Sequence, residues 1–243
     1  MKYIILLYIV ASILFTAFFY FTPFQSQIDN KLFFTAAALF FTIFAGFLIS
    51  RQSTRYSSIR DKLTTFDGSM SFVYRALSHF APPAQQEAGE VLKNHYLPIL
   101  KTHAWDKPFT EKTTVITDLH AILDKTSKHL TAPSELQKGA FAQMLAGIRE
   151  AQMSRKNLIA LEEERMPGSQ WFLMLFLGAL LFLTLLVIPS YADTLASFLK
   201  GFFGGTIVLV LIILWKLNRL EFFVGTIGEN SAQDVLNIVD GKL

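Results

Sequence analysis

The sequence predicts an all-α integral membrane protein, with four transmembrane helices arranged as two hairpins and a cytoplasmic helical domain between them. Three observations predict it. Four long apolar blocks stand in two closely spaced pairs. Residues 51–168, between the pairs, change abruptly to a mixed polar and apolar composition. Basic residues cluster at the block ends that border this middle region. The chain therefore divides into a first hairpin (1–50), a helical domain (51–168), a second hairpin (169–218) and a C-terminal tail (219–243).

Each apolar block has the length a bilayer requires. A helix rising about 1.5 Å per residue crosses the hydrocarbon core in about 20 residues. The first block runs from Tyr3 to Phe21, and the second from Leu32 to Ile49, where Arg51 ends it. The length of the first block, with no small-residue cleavage site after it, argues against a secretory leader. The second is apolar and aromatic on all sides, unlike a helix with one face on a soluble core. The third block spans Trp171 to Ile188, between Pro167-Gly168 and Pro189, and the fourth spans Leu195 to Leu217. Backbone groups in lipid need internal partners, so helices joined by short loops are the expected form.

The middle region reads as four helices. The spacing of Ile59, Leu63, Phe66, Met70, Phe72, Val73 and Leu77 predicts a helix over 56–80 that continues the second span. Ala81-Pro82-Pro83 breaks it. A second helix is expected over 84–100, with Pro98 as an early stop, followed by a loop at Asp106-Lys107-Pro108. A third is expected from Thr113 to Leu130. After Thr131-Ala132-Pro133-Ser134, a long fourth helix runs to Met166.

Charge placement sets the expected topology. Arg51, Arg55, Arg60 and Lys62 follow the second block; Arg149, Arg155, Lys156 and Arg165 precede the third; Lys216 and Arg219 close the fourth. Basic residues near span ends stay cytoplasmic, which places both termini and the middle domain there, in a plasma (inner) membrane protein. Trp171, Tyr191 and Trp215 fall near span ends, at headgroup level. The net charge of +3 is too small to point to nucleic acid. The chain has no cysteine, which removes disulfides, thiolate metal sites and cysteine nucleophiles.

A search for chemistry yields no catalytic, cofactor-binding or metal residue, so no enzyme and no cofactor are expected. None of the histidines, His79, His95, His103, His120 and His129, stands at a recognised ligand spacing. His120 and Asp124 can share a helix face as a surface hydrogen bond. Glu162-Glu163-Glu164 point in different directions on a helix and read as a solvated run. Within the spans, Gly201 and Gly205 form G-x-x-x-G, which lets helices approach closely, and Gly46 is read the same way. Lys200 lies about one turn inside the fourth block. Its ammonium either snorkels to the outer headgroups or faces protein or water, where it would line an ion path.

The layout resembles the bestrophin-like domain family of bacterial and plant membrane proteins. The features that carry the resemblance are Phe44-Ala45-Gly46-Phe47 running into a basic helix, Tyr96 and Trp105 in the middle, and Arg155, Arg165, Pro167 and Trp171 leading into the third span. The closing motif is Leu217-Asn218-Arg219-Leu220-Glu221-Phe222, followed by Gly225. In this chain Asn218 stands near the family's Asp position, and the proline before Phe is missing. The resemblance implies a homo-oligomer and a distant kinship to pentameric anion channels. The acidic calcium-binding cluster of those channels has no counterpart here, so calcium gating does not carry over. Two functions are expected to compete: a membrane-anchored helical interaction or sensory module with a cytoplasmic protein partner, and an oligomeric anion channel.

Overall fold

The structure is a computed structural model that describes residues 2–21, 31–80, 82–103, 105–106, 109, 111–130, 132–187, 194–221 and 227–242. The two hairpin loops, Tyr191, Ala81, Lys107-Pro108, Thr131 and the Phe222 and Gly225 of the closing motif lie outside these residues. The described residues are predominantly helical, with no strand among them. The helices are α1 (Lys2–Phe21), α2 (Lys31–Ala76), α3 (Pro82–Thr102), α4 (Val115–Lys128), α5 (Glu135–Glu163), α6 (Gly168–Val187), α7 (Thr194–Asn218) and α8 (Ile227–Val239), with a 3-10 turn at Leu77–His79.

The chain forms two compact units. The first holds residues 1–54 and 165–219, and the second holds 55–164 and 220–243. Three helices, α2, α6 and α7, are long and apolar enough to cross a membrane. The described apolar run of α1, Leu6–Phe21, is shorter.

In the first unit, Phe19, Phe41, Leu48, Met174, Leu181 and Leu214 form a shared core. The outward faces remain apolar: Leu14, Phe33, Phe40, Phe47, Phe172 and Leu195 are all exposed. A helix apolar all round, with phenylalanine on its outer face, fits hydrocarbon and not water. At the start of α6, the Met166 N–H donates to Asn218 Oδ1 at 2.7 Å, so the closing-motif asparagine ties the end of α7 to the entry of α6.

In the second unit, the buried residues Ile59, Leu63, Phe66, Met70, Val73 and Leu77 alternate steps of four and three, the seven-residue spacing of a helix seam. Ala88, Leu92, Tyr96 and Ile99 of α3, Leu119 and Leu123 of α4, and Met144 and Ile148 of α5 close over that seam. Ser134 and Gln137 form a reciprocal capping box that starts α5. At its other end, Arg55 donates from Nε to the Leu161 carbonyl at 2.6 Å and from Nη2 to the Glu162 carbonyl at 2.7 Å. A buried guanidinium thus satisfies carbonyls that the last helical turn leaves unpaired.

One expectation changes. Pro98 does not end α3, which continues to Thr102; the break comes at His103, in the left-handed region at φ 54°. Pro82 opens this helix, a position that needs no N–H donor. Within residues 219–243, α8 docks Ala232, Val235 and Leu236 into the second core. Tyr74 donates to the Val239 carbonyl at 3.2 Å, and Lys93 pairs with Asp240 at 2.7 Å.

Candidate functional site

Two of the span residues singled out by sequence, Gly201 and Gly205, fall on one seam. In the first unit α1 and α7 run antiparallel, with Ser12 opposite Gly205 and Thr16 opposite Gly201. A Cβ on Gly201 would collide with the side chain and backbone of Thr16, and one on Gly205 with Ser12. Glycine is required at both positions for the backbones to come this close. Thr16 donates its hydroxyl to the Ser12 carbonyl at 2.7 Å, the usual resolution for a hydroxyl in an apolar helix. Gly46 differs: among the described residues nothing lies within 4 Å of where its Cβ would stand, so it makes no close helix approach there.

Lys200 stands one turn from Gly204 on the same helix and is only 6% exposed. Its Nζ lies 5.6 Å from the centre of the Phe19 ring, an attraction between cation and ring face. Phe19 packs on Phe182 at 5.7 Å and Phe182 on Phe15 at 5.0 Å. The lysine therefore faces protein aromatics rather than extending away from the unit.

The second unit holds a polar cleft that no motif announced. One face of α3 (Asn94, His95, Pro98) and the segment leading into α4 (Glu111, Lys112, Thr113) enclose about 350 Å³. Pro98 has no N–H, so the helical partner of the Asn94 carbonyl is missing on this wall. Thr113 Oγ1 stands 3.3 Å from His95 Nδ1 and accepts from the Val115 N–H at 3.4 Å. His95 Nε2 is buried and has no partner. Arg155, on α5, donates from Nη2 to the Glu111 carbonyl at 3.2 Å, while its Nε is likewise buried without a partner. Burial, helped by the Arg155 charge, pushes the His95 pKa down to about 4, so the ring is neutral at pH 7.

Behind His95 lies a second polar pair. The rings of His95 and Tyr96 meet edge to face at 4.9 Å, and the Phe66 ring lies tilted against His95 at 5.9 Å. Tyr96 donates to Asp67 Oδ1 at 2.7 Å, and Ser231 of α8 also hydrogen-bonds this carboxyl. Burial raises the Asp67 pKa to about 6 against those two bonds, and holds the Tyr96 phenol well above its ordinary range. Asp67 therefore titrates close to neutral pH inside a core.

The other sequence candidates do not join this site. Asp124 pairs with Lys128 at 2.5 Å and His120 is exposed, while Glu162 serves Arg55 through its carbonyl. Among the described residues, no three His, Asp or Glu side chains gather as a metal site. Sequence reasoning missed His95 and Asp67, whose partners lie on other helices. The available signals were Tyr96 and Arg155, two of the residues behind the family resemblance. A family model described as Bestrophin-like domain matches residues 5–226. No curated protein and no solved structure matches the chain.

Proposed function

The chain belongs to the Bestrophin-like domain family, and from that premise we propose a multi-pass membrane protein whose second unit senses a small polar ligand. In this reading four spans anchor the chain in the bilayer, both termini and the second unit are cytoplasmic, and copies of the chain associate. The observation that carries the sensory reading is the 350 Å³ cleft, where a buried His95 Nε2 lacks a partner. Buried polar atoms are ordinarily satisfied, and an exception beside a cleft supports a ligand that completes it. The buried Asp67–Tyr96 pair behind His95 links α2, α3 and α8, so occupancy of the cleft has a route to the docking of the C-terminal helix. No catalytic step is proposed.

The test is thermal unfolding of the full chain in detergent against a panel of small polar solutes. At least one solute is expected to raise the midpoint of the wild type and to leave His95→Phe unmoved. If no solute raises it, the sensory reading fails.

A second reading, an anion channel, is favoured by family membership and by the burial of Lys200 in a span. A fixed positive charge raises the local concentration of anions along a path. Iodide flux into proteoliposomes that falls on Lys200→Met supports this reading, and absence of flux from the wild type removes it.

A further inference from the structure

We propose that α8 is a proton-dependent latch whose first turns are held down while Asp67 and His103 are protonated and come loose as those protons leave. The latch goes beyond the sensory reading and does not depend on the cleft at His95.

The contact at the centre is a carboxyl among neutral donors. Asp67 of α2 is 5% exposed, Tyr96 of α3 donates to its Oδ1 at 2.7 Å, and Ser231 of α8 supplies a second bond. Among the described residues no basic side chain pairs with it. A buried carboxyl without a cation favours its protonated form. Beside Ser231, Ala232, Val235 and Leu236 are buried in the same core, so docking of α8 is part of what keeps water from Asp67. Withdrawing the first turns of α8 removes the Ser231 bond and admits water. Burial is the largest influence on this carboxyl, so hydration outweighs the lost bond and returns it toward 3.8, from about 6 when docked. By linkage, the share of docking that Asp67 supplies is complete below 3.8 and is lost as pH rises through 6.

A second contact acts in the same direction. His103 ends α3, and its Nδ1 lies 2.9 Å from Glu229 Oε1 in the first turn of α8. This is an ion pair only when the ring is protonated. His103 is largely exposed, so its share is the smaller one.

The far end of α8 is held differently. Lys93 of α3 pairs with Asp240 at 2.7 Å, and Tyr74 of α2 donates to the Val239 carbonyl. The hydrogen bond between Lys93 and Asp240 raises the lysine pKa and lowers that of the aspartate, so both stay charged from pH 5 to 7. The other groups facing Asp67 keep the sign unchanged. The Tyr96 phenol stays protonated, and His95 behind it is neutral above about pH 4. Glu150 of α5, which accepts from Ser69, is exposed. Protons therefore govern the first half of α8, while its last turn remains tethered.

The experiment is hydrogen–deuterium exchange of the full chain in detergent at pH 5 and pH 7, each rate corrected for the intrinsic pH dependence of amide exchange. Amides of residues 229–233 are expected to lose about tenfold in protection at pH 7, relative to those of 144–151 in the core of α5. Asp67→Asn, which keeps a neutral side chain there, is expected to reduce that change to less than threefold, and adding Glu229→Gln to remove the remainder. Equal loss in α5 and α8 would mean that the unit opens as a whole, and overturns the latch. So does protection of α8 that is constant or rises with pH. A full tenfold change in Asp67→Asn overturns Asp67 as the controlling group. Should that variant fail to fold, the comparison of α8 with α5 in the wild type still decides. None of these results bears on the solute panel that tests the sensory reading.

Discussion

Tyr96 donates its phenolic hydroxyl to Asp67 over 2.7 Å, with both side chains at most 5% exposed. The pair has the chemistry of a proton-sensitive contact, because a buried carboxylate keeps its charge only as long as its donors compensate for the lost water.

Its pH dependence is opposed by its neighbour. Asp67 holds a proton in the folded state that it loses when unfolded, so its contribution to stability falls as pH rises from 3.8 to about 6. His95 refuses a proton that the unfolded chain takes up, so its contribution rises with pH from about 4 to 6.5. Each spans about 3 kcal/mol in the limit of independent titration. Between pH 4 and 6 the two slopes nearly cancel. Asp67→Asn is expected to expose the His95 slope, with stability rising from pH 4 to 6.5. His95→Gln is expected to expose the opposite one. Unfolding in detergent at half-unit pH steps measures both, and identical profiles for the two variants would refute the pairing.

The α1–α7 seam separates its two glycines. Gly205→Ala collides with the Ser12 side chain, so adding Ser12→Gly should recover most of the loss. Gly201→Ala meets Thr16 backbone as well, and truncating Thr16 should recover little. Overpacking of this kind costs about 1–3 kcal/mol. Midpoints of thermal unfolding for the singles and doubles are the measurement; equal rescue at both glycines would show that the seam is more open than described.

Arg55 is expected to be irreplaceable by lysine. Its two N–H groups reach successive carbonyls at the end of α5, and a single ammonium cannot reproduce that fork. Arg55→Met should cost roughly 2–3 kcal/mol, and Arg55→Lys should restore less than half of it. Full recovery in the lysine variant, measured by denaturant unfolding, would reduce the contact to simple charge.

Topology is open to direct assay. Reporters inserted near Pro133 and fused after Leu243 should both read as cytoplasmic, and one inserted near Gln27 as external, from the placement of Lys and Arg about the spans. An external reading at Pro133 would reverse the arrangement.

The apolar helices were legible because bilayer thickness imposes a length and an unbroken composition that local sequence displays. The seven-residue spacing from Ile59 to Leu77 was legible for the same reason: a helix repeats its own period. Pro98 misled because a proline inside a helix removes one bond, and packing of Tyr96 and Ile99 on either side keeps the helix whole. Helix α8 was passed over because it is short and owes its place to Asp67, Tyr74, Gly89 and Lys93, all far away in the chain. Gly201 and Gly205 were visible as a pattern, but Ser12 and Thr16, which they meet, belong to no such pattern. His95 was invisible as a site, since its surroundings come from Thr113 and Arg155 on separate segments.

The seam between α1 and α7 also fixes an order of events during synthesis. It joins α1 to α7, so it cannot close until the intervening residues 22–193 have left the ribosome. At roughly 5–20 residues per second, that interval is on the order of 10–30 s. Throughout it the Ser12–Thr16 face of α1 waits without its glycine partner, while Phe15 and Phe19 can already pack on Phe182 of α6. A change that delays or derails α7 therefore acts on α1 first, and yield in the cell becomes a property separate from the stability of the finished chain.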